Sequence, residues 1–349
     1  MCEAEEEKMS KTVLGLRPSV WLTLLLLLSF GVVRADAGSV VPKKRRVEIE
    51  YKATIKDIPT GAREVNLWIP VPHDDPFQKI KGLQIDSPYP YRIHKAQHGN
   101  RVLHINLKNP QQKSFTVNMR FRATRLEHIQ ERLRQANHVG AQAKITSDVA
   151  GWLEPERLVP LDDKIRTWAR EVVDEAGART DLEKARAIYN HIVATVKYDK
   201  TGQGWGRGDI YYACDARRGN CTDFHAIFIG YARAVGIPAR FAIGLPLPEE
   251  RGAGQVSGYH CWAEFYLKGT GWVPVDASEA AKNPSKREYF FGAHDENRVE
   301  FTLGRDLLLA PRQQGDPLNY FIYPYAEVDG KTFSSVERSF AYRDLSAPA

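Results

Sequence analysis

Three side chains far apart in the chain, Cys221, His260 and Asp276, are of types that together make a nucleophile, a base and an orienting acid. A cysteine attacks as its thiolate, and the start of a helix, with partial positive charge and free N–H groups, stabilises that anion. Cys221 follows Arg217-Arg218-Gly219-Asn220, which supplies basic charge, a residue that lets the backbone turn sharply and a good N-cap. Phe224, Ile227, Phe228, Tyr231 and Val235 then recur at helical spacing, predicting a helix over 221–235 ended by Gly236-Ile237-Pro238. Taken alone, a cysteine that opens a helix is more often a buried structural residue; its partners change that reading.

His260 begins one strand-like run and Asp276 ends the next, with Lys268-Gly269-Thr270-Gly271 as the turn between them. A hairpin centred on Lys268 sets His260 directly opposite Asp276, with Cβ atoms ~5 Å apart. A hairpin centred on Gly269 makes them diagonal neighbours on the same face. In either register the carboxylate can fix the imidazole tautomer and stabilise the imidazolium, leaving the other ring nitrogen for the Cys221 proton. In isolation His260 reads as a satisfied core residue and Asp276 as a turn carboxylate; with Cys221 they form a triad. The Cys221 backbone N–H is the natural first oxyanion donor. Trp205 and Tyr212 are candidates for the second, although an aromatic residue in a loop more often serves packing.

The elements that must position these groups follow from the hydrophobic pattern. Short β-rich runs at 47–55, 64–71, 101–107 and 114–123, separated by Pro, Gly and Asn turns, predict a small antiparallel β-sandwich over 47–125. Residues 126–153 lack clear periodicity and read as a connector. Leu161, Ile165, Trp168, Ala169, Val172, Val173 and Ala176 then mark one face of a helix, with Gly177 as its C-terminal cap. Thr180 and Glu183 form a capping-box pattern opening a second helix that stops near Tyr198. A Gly-rich loop at 201–208 precedes the Cys221 helix. Strand-like runs at 239–245, 259–267, 271–276, 298–303, 320–328 and 335–342 come afterwards. Helices first and strands later describe an α+β catalytic domain over 154–345.

The segments 219–224 (Gly-Asn-Cys-Thr-Asp-Phe), 259–264 (Tyr-His-Cys-Trp-Ala-Glu) and 271–276 (Gly-Trp-Val-Pro-Val-Asp) resemble, in order and spacing, the three motifs of the transglutaminase-like superfamily. The resemblance is good over 180–278. Tyr289-Phe290-Phe291-Gly292 and Leu318-Asn319-Tyr320-Phe321 are similar to segments of exported bacterial members. It implies a papain-like core with the nucleophile at a helix start and the His and Asp on adjacent antiparallel strands. It also implies thiolate attack on a carboxamide or peptide carbonyl, giving a thioester that water or an amine resolves. Peptidase or amidase action on protein or peptide substrates, cell-envelope ones among them, is the leading expectation. The chain departs from animal transglutaminases in lacking an acidic cluster like their calcium sites and a trailing pair of β-sandwich domains, so calcium activation is not expected.

The 349 residues carry a formal net charge of +6, with Lys and Arg mixed among Asp and Glu; dispersed charge of this kind argues against nucleic-acid binding. Lys8, Lys11 and Arg17, an apolar run over 20–33 and Ala35-Asp36-Ala37 read as a secretion signal over 1–37, giving a periplasmic or secreted mature chain from about Gly38 with no stable membrane span. The basic run Pro42-Lys43-Lys44-Arg45-Arg46-Val47 resembles a nuclear-import signal but reads, behind an export signal, as part of a solvated linker over 38–46. Once Cys2 leaves with the signal, Cys214, Cys221 and Cys261 remain, so at least one is free or pairs between chains. Cys214 and Cys261 are a candidate disulfide bracing the site. Cys214, Cys221, His225, His260 and Cys261 are also zinc-binding types, yet their spacing matches no familiar zinc pattern, and no metal or cofactor is expected. A binding or scaffolding module that keeps the fold without turnover is the competing reading; its signature is a broken triad, and here all three positions are filled.

Overall fold

The computed structural model describes residues 41–133 and 146–346. Apolar alternation in the strand Lys44–Ile55 buries Val47, Ile49, Tyr51, Ala53 and Ile55, the period-two pattern of a strand with one face in a core. This strand is the middle of a five-stranded antiparallel sheet, between Val336–Asp344 and Phe115–Leu126, with Ala253–Val256 and Gln78–Asp86 at the edges. A second five-stranded antiparallel sheet is centred on Glu64–Val71, flanked by Tyr325–Val328 and Arg101–Lys108 and edged by Lys331–Phe333 and Arg92–Lys95. Val47, Ile49, Val65, Leu67, Ile105 and Phe121 share one apolar core between them, as in a β-sandwich.

Two features of this sandwich differ from the pattern read along the chain. Its sheets include strands from the far end, which local sequence groups with the catalytic segment: Val336–Asp344 pairs with Lys44–Ile55 from Val47↔Asp344 to Ile55↔Val336, and Tyr325–Val328 pairs with Glu64–Val71. Partner choice across nearly the whole chain leaves no local trace. The basic run, in turn, is not a solvated linker at Arg45. Its guanidinium is 2% exposed, donates to both oxygens of Asp344 at 2.8 Å, and also reaches the Pro248 carbonyl at 2.6 Å and Asn297 Oδ1 at 2.7 Å. Four acceptors offset the desolvation of the charge and tie the entering strand to the last one.

The helical layer follows the sequence closely. Asp163–Glu175 is capped by Asp162 accepting from the Ile165 N–H, and Gly177 takes the positive φ that ends it. Asp181–Thr195 carries the capping box formed by Thr180 and Glu183. It stops before Tyr198, because Lys197–Tyr198 instead forms a short parallel pair with Arg218–Gly219. Cys221–Ala234 is buried from Cys221 through Arg233, which makes it the central rod of the domain. Ile210–Ala216 and Ala277–Lys282 are helices the periodicity did not reveal, each too short for a clear stripe.

Behind the central helix lies a four-stranded antiparallel sheet in the order Gly271–Val275, His260–Leu267, Ala239–Pro246, Arg298–Leu303. The observed architecture is α+β: helices on an antiparallel sheet together with a β-sandwich. Among the described residues of the connector are short pieces such as His128–Ile129, which pairs with Ala293–His294. The secretion signal falls outside the described residues. Among the described residues no helix is long and apolar enough to cross a membrane.

Arg45→Met keeps the stem of the side chain but leaves Asp344 without its partner. Breaking such a buried pair costs about 3 kcal/mol, expected as a lower urea midpoint with unchanged slope; an unshifted midpoint would return Arg45 to the linker.

Candidate active site

The start of the central helix is tied down before any chemistry is considered. Asn220 is its N-cap, accepting from the Thr222 N–H at 2.9 Å. The Asp223 carboxylate completes a capping box by accepting the Asn220 N–H at 2.9 Å. It also accepts the N–H groups of Gly206 at 2.7 Å and Gly208 at 3.0 Å, fastening the Gly-rich loop onto the helix end. A Cβ on Gly219 would come within 2.2 Å of this carboxylate, so the glycine before Asn220 is a matter of space. Tyr259 adds its hydroxyl at 3.1 Å from Asn220 Nδ2 and 2.9 Å from Thr222 Oγ1. Its ring packs on Tyr320 with centroids 5.4 Å apart, which gives the Leu318–Phe321 segment a physical role.

Cys221 is the first residue of this helix, and its backbone N–H has no acceptor within the helix. Its thiol is 2% exposed and interacts with both the His260 imidazole and the Cys261 thiol. Of the two hairpin registers, the one centred on Gly269 is formed: Ala263 faces Val275 and Leu267 faces Gly271, so His260 and Asp276 are diagonal neighbours. His260 Nε2 lies 2.7 Å from Asp276 Oδ2, which leaves Nδ1 for the sulfur. Cys221, His260 and Asp276 are therefore brought together.

Asp276 is wholly buried, and its carboxylate is well supplied with partners. Oδ2 also accepts from Arg298 at 3.0 Å. Oδ1 accepts from Ser278 Oγ at 2.9 Å and from the Glu279 N–H at 3.0 Å, so the residue ends the strand by capping the helix Ala277–Lys282. His225 Nε2 stands 3.7 Å from Oδ1. The Asp276 N–H donates to the Phe290 carbonyl at 2.9 Å, so the Tyr289–Gly292 segment holds the backbone in place. Burial alone would raise the Asp276 pKa, but the charge and hydrogen bond of His260 and the charges of Arg298 and His225 hold it well below the ordinary value.

The same balance decides the other two groups. Burial opposes ionisation of Cys221, yet hydrogen bonds from Cys261 and His260 and the charges of His260 and His225 outweigh it and bring the thiol well below its usual value. Burial likewise opposes a charged His260, but the Asp276 carboxylate and the Cys221 sulfur raise it to about 10. Cys261 moves the other way, since burial and the neighbouring Cys221 keep it protonated. These opposite shifts favour an imidazolium–thiolate pair over a neutral one. His260, Tyr259, Tyr198 and Glu279 line an adjoining cleft of about 490 Å³.

Other sequence candidates lie differently. Trp205 Nε1 donates to the Gly202 carbonyl at 3.2 Å within its own loop. The Tyr212 ring lies against Gly204, with its hydroxyl buried and unpartnered. The Cys214–Cys261 disulfide is not formed: among the described residues Cys214, Cys221 and Cys261 are all free. Cys214 faces the Tyr231 hydroxyl at 3.4 Å, whereas Cys261 faces Thr222 at 3.7 Å and His225 at 3.8 Å. That division also separates Cys214 from the other members of the thiol-rich zinc set. Arg298, Ser278 and His225 escaped assignment as supports of Asp276, because nothing local to them refers to it. Asp223, three residues after an N-cap, was the one support that capping-box spacing could have revealed.

Residues 166–277 match the family model of the transglutaminase-like superfamily. Among curated proteins, an "Uncharacterized protein" of Haemophilus influenzae is 29% identical over 323 residues, covering 82% of this chain and 87% of that one. Among solved structures, a Cytophaga hutchinsonii protein named as a "Putative Cysteine Protease" matches with a TM-score of 0.59 at 17% identity, covering 88% of this chain and 93% of that one. The shared fold is thus a transglutaminase-like one.

Because the thiol is depressed and His260 is raised to about 10, the rate of carbamidomethylation of Cys221 by iodoacetamide is expected to be nearly flat from about pH 6 to 9. An ordinary thiol instead slows roughly tenfold per unit below its pKa of about 8.5. Asp276→Asn removes the charge that raises His260, so labelling of that variant should fall with pH through the neutral range. Intact-mass rates, with Cys221→Ser as the blank, read both; a tenfold-per-unit slope in the unaltered chain would contradict the ion pair.

Proposed function

We propose that this chain is a cysteine-nucleophile enzyme acting on amide or peptide bonds, with Cys221 as nucleophile, His260 as acid and base, and Asp276 as the orienting carboxylate. The observation that carries the reading is the placement of the Cys221 sulfur at a helix N-terminus together with a His260 ring whose Nε2 is held 2.7 Å from Asp276 Oδ2. The Cys221 thiolate adds to the substrate carbonyl carbon, and the electron pair moves onto oxygen. The Cys221 N–H is aimed at that developing charge. Of the two aromatic candidates for a second donor, Tyr212 is the better supported, since its hydroxyl is buried without a partner while the Trp205 N–H is taken.

Collapse of the adduct expels the amine, which takes its proton from His260, and leaves a thioester on Cys221. Neutral His260 then removes a proton from water, or from an incoming amine, as it attacks the thioester; the acyl group departs and the sulfur returns to its ionised state. Asp276 keeps Nε2 engaged throughout, so the same face of the ring serves both half-reactions. Protein or peptide substrates fit a cleft of about 490 Å³ lined by His260, Lys200, Glu249, Lys282 and Lys286 as well as aromatic rings. Hydrolysis is the favoured outcome.

The test is a peptide-library digest read by mass spectrometry, with and without an added primary amine. Cys221→Ala and His260→Ala are expected to lower turnover by about 10³-fold or more, and Asp276→Asn by about 10²–10⁴-fold. A thioester adduct should be trapped on Cys221 by acid quench. Turnover that survives Cys221→Ala would end the proposal, and no turnover or selective labelling in the unaltered chain would favour a binding module. Export is inferred from the three-part segment before Gly38; N-terminal sequencing of chain recovered from the periplasm or medium should start near Gly38, and recovery only from cytoplasm would contradict it.

A further inference from the structure

A second cluster of chemically capable side chains lies elsewhere on the catalytic sheet. His128 and His294 face each other in the short antiparallel ladder joining His128–Ile129 to Ala293–His294; such partners hold their Cβ atoms ~5 Å apart. Their rings meet edge to face with centroids 5.2 Å apart. Glu264 arrives from the strand His260–Leu267, where the two-residue alternation puts it on the same face as Trp262 and His260. One donor atom from each of His128, Glu264 and His294 lies within 4.8 Å of the others, and all three residues are buried.

The nitrogens in this cluster are unusual in what they lack. Nδ1 of His128 and both ring nitrogens of His294 are buried without a hydrogen-bond partner. Each such group costs about 1–3 kcal/mol, and native interiors hold few of them. Three stand at one place beside a carboxylate, and an ion that takes one nitrogen from each ring accounts for two of them. Glu264 is arranged to join them: Oε2 is held by Arg240 Nε at 2.7 Å, while Oε1 stands 4.0 Å from His128 Nδ1. The nearby cations have carboxylates of their own, Arg240 on Glu264, Arg125 on Asp75 at 3.0 Å, and Arg298 on Asp276 at 3.0 Å. His128, Gln130 and Glu264 border a cavity of about 310 Å³, which gives an ion a way in and leaves room for water as a further ligand.

We infer that His128, Glu264 and His294 form a site for one divalent transition metal, zinc being the ion that two imidazoles and a carboxylate suit best. Calcium and magnesium are disfavoured because they take oxygen ligands. Ligand atoms around tetrahedral zinc are ~3.3 Å apart at bonds of ~2.0–2.1 Å, so closure needs a movement of at most about 1–1.5 Å that side-chain rotation can supply. The ion would pin the connector strand and Ala293–His294 to the strand that carries His260. It shares no ligand with the Cys221 site, so it stands whether or not that site turns over substrate.

The test uses the exported chain, freed of metal with a chelator and titrated with zinc(II) and cobalt(II) under equilibrium dialysis. One equivalent should be retained, with a rise in melting temperature. His128→Ala and His294→Ala should each weaken retention by about tenfold or more, since even supporting residues of such sites are worth about 10–100-fold, and Cys221→Ser should leave it unchanged. The cobalt complex should show visible d–d bands without a thiolate charge-transfer band, a readout that needs no variant to fold. Absence of uptake by the unaltered chain, a thiolate band, loss of binding in Cys221→Ser, or full retention in both histidine variants would each overturn the site.

Discussion

A carboxylate with no access to water is the constraint around which the catalytic sheet is organised. Taking such a group out of solvent costs several kcal/mol unless other groups replace its hydration. Asp276 meets that condition with four donors: His260, Arg298, Ser278 and the Glu279 N–H. Each comes from a defined place, namely the adjacent strand, the far strand of the sheet and the helix that Asp276 itself caps. Once buried, the side chain stays ionised only because those elements are assembled around it, and its charge raises His260 and so favours the thiolate of Cys221. The electrostatics of the site and the integrity of the local fold are one property.

A second buried carboxylate does related work at the other end of the triad. Asp223 gathers the N–H groups of Asn220, Gly206 and Gly208, which fixes both the helix start and the loop against it. Burial raises its pKa even so, with the Cys221 charge adding to the effect. A negative group two residues from a thiolate opposes it, which leaves the helix N-terminus, Cys261, His260 and His225 to supply the stabilisation. The result is a sulfur held between opposing fields, depressed chiefly by Cys261 and His260.

The sandwich bears on this arrangement through strands contributed by both ends of the chain. Arg45 grips Asp344 and reaches the 248–250 and 297 region beside the four-stranded sheet. Asn100, from the sandwich, accepts the Leu303 N–H and donates to the Leu303 carbonyl, both at 2.8 Å. These polar ties between sandwich and catalytic strands replace backbone pairing that would otherwise be lost where the elements meet.

The sequence by itself determined the groups and the local geometry around them. Capping boxes, a glycine before an N-cap and alternation in the strands depend on residues within a few positions of each other, so Cys221 at a helix start and a His260–Asp276 hairpin were legible. It left the hairpin register open, because one residue of slip in a Gly-rich turn changes no composition. Only the tertiary structure decided that Gly269 is the centre, that Arg298 and Ser278 serve Asp276, and that the last strands close the sandwich. It also separated Cys214 from Cys261 and brought His128 to His294. Those outcomes turn on which distant faces share a core and which buried polar atoms find partners there, quantities that belong to the packed chain and have no counterpart in the spacing of its residues.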